Sequence, residues 1–324
     1  LHRQVGEDLV AKARWFAVAL VALVGVGCGG SSGQRVAVEA TPVAMRRAAQ
    51  STLAKGTSKV DFTIRMTIQA HDVAMTGTGA MDPSNKRFQM SFDAKDLFAQ
   101  AAGSSGGTPP PAVASAFDQP IEVILDHAVM YMHFPALASL AGGGKEWLKF
   151  DLTAANKNVG SLLGSGSGGA FGSDPSSFLQ FLEGAGKVSQ VGQEDVRGVS
   201  TTHFSGSYTL KDALAALPAD QRDKAEQAIK NLNLSTDAET QDIPFDAWID
   251  ADGLVRRIET RFDFSKLAPP GAATPLGSMD ETLEFFDFGS PVDIQLPSDD
   301  QVQDLSALVA NASSRFSSVA SSIN

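Results

Sequence analysis

From residue 60 the chain alternates. Val60, Phe62, Ile64, Met66 and Ile68 are apolar, and Asp61, Thr63, Arg65, Thr67 and Gln69 between them are polar. A period of two over ten residues predicts a strand over 60–69 with one buried and one wet face. Similar runs predict strands over 73–80, 87–93 (Phe88, Met90 and Phe92 on one side), 121–125, 129–134 and 147–150. Turn-forming clusters separate them at His71-Asp72, Asp82-Pro83-Ser84-Asn85, Asp126-His127 and Gly142-Gly143-Gly144. A second series follows. Strands over 187–195 and 199–207 turn at Arg197-Gly198, strands over 245–250 and 254–264 turn at Asp250-Ala251-Asp252-Gly253, and a last long strand covers 281–288.

Helical spacing appears between these runs. Thr41 and Pro42 open a helix over 41–55 and Gly56 stops it. Further helices are predicted over 175–183, 209–217, 219–232 and 302–309. Asp212, Asp220, Arg222, Asp223, Lys224 and Glu226 form the solvated faces of the middle pair. Residues 101–116 and 164–172 are low-complexity Gly/Ser/Pro/Ala stretches. About eleven sequential antiparallel strands with five or six helices make an α+β plan. The expectation is a long curved antiparallel sheet, a half-barrel, with helices packed on its concave face.

The N-terminus has a different character. Arg3, Lys12 and Arg14 precede an apolar run from Trp15 to Val26, followed by Gly27-Cys28-Gly29-Gly30. A basic region, a short apolar region and small residues at the exit make a secretory signal, and the run is too short to span a bilayer. Cys28 is the sole cysteine. At that exit its thiol is the nucleophile a lipoprotein signal requires, although Gly25 stands where such signals usually carry Leu. The expected organisation is a lipoprotein signal peptide over 1–27 and a flexible tether over 28–40. A single domain over 41–312 and a Ser-rich tail over 313–324 complete it. The mature protein would be extracytoplasmic, held at the cell membrane by acyl chains on Cys28, with no disulfide available.

Charge narrows the partners. The chain carries a formal net charge of −11, and loss of the signal takes it to −12 because residues 1–27 hold three basic and two acidic side chains. An acidic surface repels nucleic acid and anionic head groups, so nucleic acid is excluded and the lipid anchor must hold the membrane.

Candidate chemistry is sparse. No two of His71, His127, His133 and His203 stand at metal-ligand spacing, so no metal or cofactor is expected. No nucleophile elbow, Walker loop or dinucleotide fingerprint is present, and Asp250-Ala251-Asp252-Gly253 reads as a hairpin turn rather than a calcium loop. The strands are instead rich in soft apolar side chains, with nineteen Phe against two Tyr. Such side chains form an ordinary core or line an adaptable cavity. Candidate lining residues are Phe62, Ile64, Met66, Phe88, Met90, Phe92, Met130, Met132, Ile258 and Phe262, provided that their face is the concave one.

The order of these segments resembles the LppX/LprAFG lipoproteins of actinobacteria, which are related in fold to LolA-type carriers. The resemblance rests on Cys28 behind its apolar run, Ser58-Lys59-Val60-Asp61-Phe62, Val129-Met130-Tyr131-Met132 and Glu146-Trp147-Leu148-Lys149-Phe150-Asp151. It continues through Gly198-Val199-Ser200-Thr201-Thr202-His203-Phe204, Ile243-Pro244-Phe245-Asp246-Ala247-Trp248-Ile249-Asp250, Gly253-Leu254-Val255-Arg256-Arg257 and Phe288-Gly289-Ser290-Pro291-Val292-Asp293-Ile294. It implies a U-shaped half-barrel with helices inside it and a hydrophobic cavity. It also implies a lipid or acylated glycolipid as ligand and a protein of the export machinery as partner.

Three functions stay open at this stage. The first is a non-enzymatic carrier that binds a lipid or lipoglycan. The second is a surface-exposed protein-interaction or sensor module on the same fold with a filled core. The third is an envelope enzyme, which would need two or more of Asp126, His127, His133 and His203 to converge in a cleft.

Overall fold

The computed structural model describes residues 40–68, 71–93, 95–96, 119–135, 144–151, 179, 182–217, 222, 226, 235, 237–267 and 276–306. The apolar N-terminal run, Cys28, nearly all of the 28–40 tether, the 101–116 and 164–172 stretches and the 313–324 tail lie outside them. So do most of the helices expected over 175–183 and 219–232, of which Leu179, Leu182, Glu183, Arg222 and Glu226 are described and helical.

The elements in chain order are α1 (Pro42–Ala54), β1 (Ser58–Ile68), β2 (His71–Asp82), a 3₁₀ turn (Pro83–Asn85), β3 (Arg87–Phe92), β4 (Ile121–Asp126), β5 (Val129–His133) and β6 (Trp147–Asp151). The second half holds β7 (Lys187–Val196), β8 (Val199–Tyr208), α2 (Leu210–Ala216), a 3₁₀ turn (Ala238–Thr240), β9 (Ile243–Asp250), β10 (Val255–Asp263), α3 (Phe264–Leu267), β11 (Leu276–Phe286) and β12 (Val302–Asp304).

All twelve strands form one open sheet in the order β12-β6-β5-β4-β3-β2-β1-β11-β10-β9-β8-β7. Two antiparallel meanders, β1 to β6 and β7 to β11, are joined along the β1–β11 seam, where Val60 faces Phe285 and Phe62 faces Leu283. Among the described residues, only β12 runs parallel to its neighbour, pairing Val302 with Trp147. The strands β12 and β7 stay as edges, so the sheet is a half-barrel rather than a closed barrel.

Local chemistry explains the elements. The Thr41 hydroxyl accepts from the Ala44 N–H at 3.1 Å and caps α1. Met45, Ala48, Ala49 and Thr52, three or four residues apart, form its buried stripe. The Thr52 hydroxyl donates to the Ala48 carbonyl at 2.7 Å and accepts the Val255 N–H at 2.9 Å, which ties α1 to the start of β10. The β7–β8 hairpin turns at Arg197 and Gly198, with φ of 51° and 78°. Two consecutive positive φ values give the tight turn whose twist matches the flanking strands.

The structure corrects three sequence expectations. His71 and Asp72 belong to β2, paired with Ile68 and Thr67, so the strand already runs where a turn was expected. The last long strand begins at Leu276 rather than 281 and ends at Phe286. Of the helix expected over 302–309, Val302–Asp304 form the strand β12, the twelfth described where about eleven were expected; Ser306 is helical and 307–309 lie outside the described residues. Helix propensity is a weak preference, and the free edge of β6 overrides it. Trp147 N–H donates to the Gln301 carbonyl, Leu305 N–H to the Lys149 carbonyl, and Lys149 pairs with Asp304 at 3.2 Å.

Candidate functional site on the inner face of the sheet

Because antiparallel partners share a face, the register maps the inner surface row by row. One row runs Gly77, Phe62, Leu283, Ile258, Ala247, Phe204 across β2, β1, β11, β10, β9 and β8. The next runs Met75, Ile64, Glu281, Thr260, Phe245, Gly206 across the same strands. On the other flank, Met90 faces Val123, which faces Met132, which faces Leu148. One hydrophobic cluster joins both flanks to the buried stripe of α1.

All ten candidate residues lie on this face. Phe62, Ile64, Met66, Phe88, Met90, Phe92, Met130 and Ile258 are buried; Met132 and Phe262 are half-buried and pack against the same cluster. Sequence reasoning passed over equally buried neighbours on the same face: Val60, Met75, Met279, Leu283, Phe285, Phe204 and Phe245. Two large rings lie over glycines rather than over bulkier neighbours. A Cβ at Gly77 would collide with the Phe62 ring, and a Cβ at Gly206 would lie 2.7 Å from the Phe245 ring. Each glycine clears the space its partner's ring occupies.

Two polar side chains interrupt the apolar field side by side. Glu281 and Thr260 are 4 % and 5 % exposed, and Glu281 Oε2 and Thr260 Oγ1 have no hydrogen-bond partner. Burial pushes the Glu281 carboxyl up to about 8, so it is mostly protonated at neutral pH. Burial, with the nearby Glu281 charge, also raises the Tyr208 phenol on β8 well above its ordinary value. The signal for Glu281 was an acid in the apolar phase of an alternating strand: Met279, Glu281, Leu283 and Phe285 form one face of β11.

The outer face is polar and cross-braced. His203 stacks on Trp248 at 4.3 Å and lies 2.9 Å from an Asp246 oxygen, and the Trp248 indole N–H donates to Glu194 at 3.0 Å. Arg257 binds Glu284 at 2.5 Å and covers the Trp248 ring. Arg197 caps the network, paired with Asp61 and stacked on Phe286. A groove of about 400 Å³ opens on this side, lined by Lys59, Asp61, Thr78, Gln89, Ser91 and Asp293 among others.

Of the four candidate catalytic residues the structure pairs two that are neighbours in sequence, His127 Nδ1 lying 3.0 Å from an Asp126 oxygen, while His133 and His203 stand elsewhere on the sheet. In Asp126, partial burial acts upward, but hydrogen bonds and charges from Arg87 and His127 outweigh it and hold the carboxyl below its ordinary value. His127 is exposed in the β4–β5 turn. His133, at the end of β5, packs its ring 5.2 Å from Trp147. His203 stands on β8 in the other meander. Among the described residues, no three His, Cys, Asp or Glu side chains are grouped to hold a metal ion.

No family profile matches the chain. A 31.2 kDa protein of Streptomyces griseus, uncharacterized and encoded between rplA and rplJ, is 28 % identical over 163 residues, which is 48 % of this chain and 47 % of that protein. The chain therefore matches about half the length of this curated relative. Among solved structures, the chain is similar to the lipoprotein LppX of Mycobacterium tuberculosis, at 13 % identity and a TM-score of 0.40, over 79 % of this chain and all of that one. It is similar also to LprF of Mycobacterium bovis, at 11 % identity and a TM-score of 0.39, over 80 % and 99 %. Both belong by name to the group that the segment order resembles.

Proposed function

We propose that the protein is a non-enzymatic, extracytoplasmic lipoprotein that holds a lipid or acylated glycolipid against the inner face of its half-barrel. The observation that carries this reading is the alignment of Phe62, Ile64, Met66, Phe88, Met90, Phe92, Met130, Met132, Ile258 and Phe262 on one face of an open sheet. Long Met and Phe side chains can part around an acyl chain and close behind it. Transfer of each methylene from water is worth about 0.8 kcal/mol, so a dozen supply about 10 kcal/mol without any charged clamp. Acylation of Cys28 would hold the domain at the membrane where such ligands reside, and the 28–40 segment would serve as the tether. A protein of the export machinery would receive the ligand or deliver it.

The test is native mass spectrometry of the full chain, with organic extraction of the same sample. A discrete added mass that extracts as lipid is the expected result. A clean unliganded mass after incubation with a membrane-lipid mixture would overturn the carrier reading. It would favour the protein-interaction or sensor module, for which the outer-face groove supplies a polar docking surface.

A further inference from the structure

The inner face is not uniformly greasy: Ser58 at the start of β1 and the Tyr208 phenol on β8 bring oxygens to it, and Glu281 and Thr260 stand side by side within its apolar field. Glu281 and Thr260 face each other across β11 and β10, flanked in their row by Ile64 and Phe245 and along their strands by Met279, Leu283, Ile258 and Phe262. Each presents a buried oxygen with no hydrogen-bond partner. Buried polar atoms in folded proteins are nearly always paired, so two adjacent exceptions need an explanation. The other buried carboxylate, Asp250, shows the usual solution: it takes Arg256 at 2.6 Å and the backbone N–H groups of Asp252 and Leu254 at 2.9 Å. Glu281 has no such provision. The neighbouring cations Arg257 and Arg261 pair with Glu284 and Asp280, which belong to the outer phase of β11. The nearby rings also lean away from the pair, Phe245 onto Gly206 of β8 and Phe62 onto Gly77 of β2.

We propose that Glu281 and Thr260 form a hydrogen-bonding subsite for an uncharged oxygen function, a hydroxyl or ester group, carried within the apolar body of the ligand. This rests on the reading that the inner face takes lipid. A protonated carboxyl donates through its O–H and accepts through its C=O, and a threonine hydroxyl does both, so the pair satisfies an alcohol or an ester carbonyl. A carboxylate or phosphate finds no cation here and raises the cost of ionising Glu281. Hydrocarbon alone leaves both protein oxygens unpaired. The subsite therefore selects by ligand chemistry, where the rest of the face selects by volume.

The test is competitive loading of the full chain with equimolar oleyl alcohol and 1-octadecene, two probes of one chain length, followed by extraction and quantification of both. The wild-type chain is expected to hold the alcohol over the alkene by about tenfold, the ratio one good hydrogen bond supplies. Glu281→Gln keeps a neutral donor and acceptor and should keep the preference. Glu281→Leu and Thr260→Val should bring the ratio near unity through loss of bound alcohol. A wild-type ratio near unity with both probes bound overturns the subsite and leaves the carrier reading intact; binding of neither probe overturns both. An undiminished ratio in Glu281→Leu makes the carboxyl purely structural. A preference for oleylamine over oleyl alcohol overturns the uncharged class.

Discussion

Replacing Glu281 by leucine should stabilise this protein, and by an amount that grows with pH. The carboxyl has an ordinary value of 4.5 and is raised by burial to about 8 in the folded chain. Between those values the unfolded chain has released the proton and the folded chain still holds it. The folded state thus binds more protons, and stability must fall as pH rises. The cost is absent below pH 4.5, reaches about 3 kcal/mol at pH 7 and is complete, at about 5 kcal/mol, once the pH passes 8. Asp126, Asp263 and Asp304 act in the opposite sense, since their lowered values give stability that is lost as pH falls through the acid range. The clean quantity is therefore the difference between variant and wild type. Urea unfolding of the two full chains at pH 5, 6 and 7 should show that difference widening by about 2–3 kcal/mol from pH 5 to 7. Glu281→Gln should follow the same slope from a lower starting point, because the amide keeps the unpaired polar atoms. Parallel stability curves across the range would refute the argument, as they require Glu281 to ionise when folded much as it does when unfolded.

Other perturbations test the frame around the inner face. Thr52→Ala leaves the Val255 N–H buried without its acceptor and should cost about 1–3 kcal/mol by the same unfolding measurement; Thr52→Ser, which keeps the hydroxyl, should recover most of it. Gly206→Val drives a side chain into the Phe245 ring and should cost at least about 1–3 kcal/mol or abolish folding, read as a fall in thermal midpoint. Cys28→Ser should move the chain from the membrane fraction to the soluble fraction after cell disruption; persistence at the membrane would remove the acyl anchor from the proposal.

The elements most legible in the sequence were those whose packing is local. β1 and β3 alternate so strongly that a slip of one residue would have reversed their faces, and the structure keeps the expected phase. The Arg197-Gly198 and Asp250–Gly253 turns were visible because each needs turn residues at fixed places. β2 was shortened at both ends because His71-Asp72 and Asp82-Pro83 read as turn clusters, and Gly77 in its middle makes sense only once the Phe62 ring is seen above it. β12 could not be read at all: three residues are a strand only because the edge of β6 lies beside them. Glu281 was passed over: its signal is an acid in the apolar phase of β11, and its burial depends on β1, a strand far away in sequence.

The seam between β1 and β11 has a consequence for how the chain folds. Every other antiparallel pair joins strands adjacent in sequence, and each meander can therefore zip up through short loop closures. At the seam Lys59 meets Asp287, 228 residues further along the chain. During synthesis β1 emerges before its seam partner and must wait, with one side paired to β2 and the other bare, until the residues up to β11 have appeared. Such long-range closure is slow, and a bare apolar strand is a template for wrong partners in the meantime. The rate-limiting step of folding should be the docking of one preformed meander on the other. Substitutions along the seam, at Val60, Phe62, Leu283 or Phe285, should slow folding more than equally buried substitutions within either half.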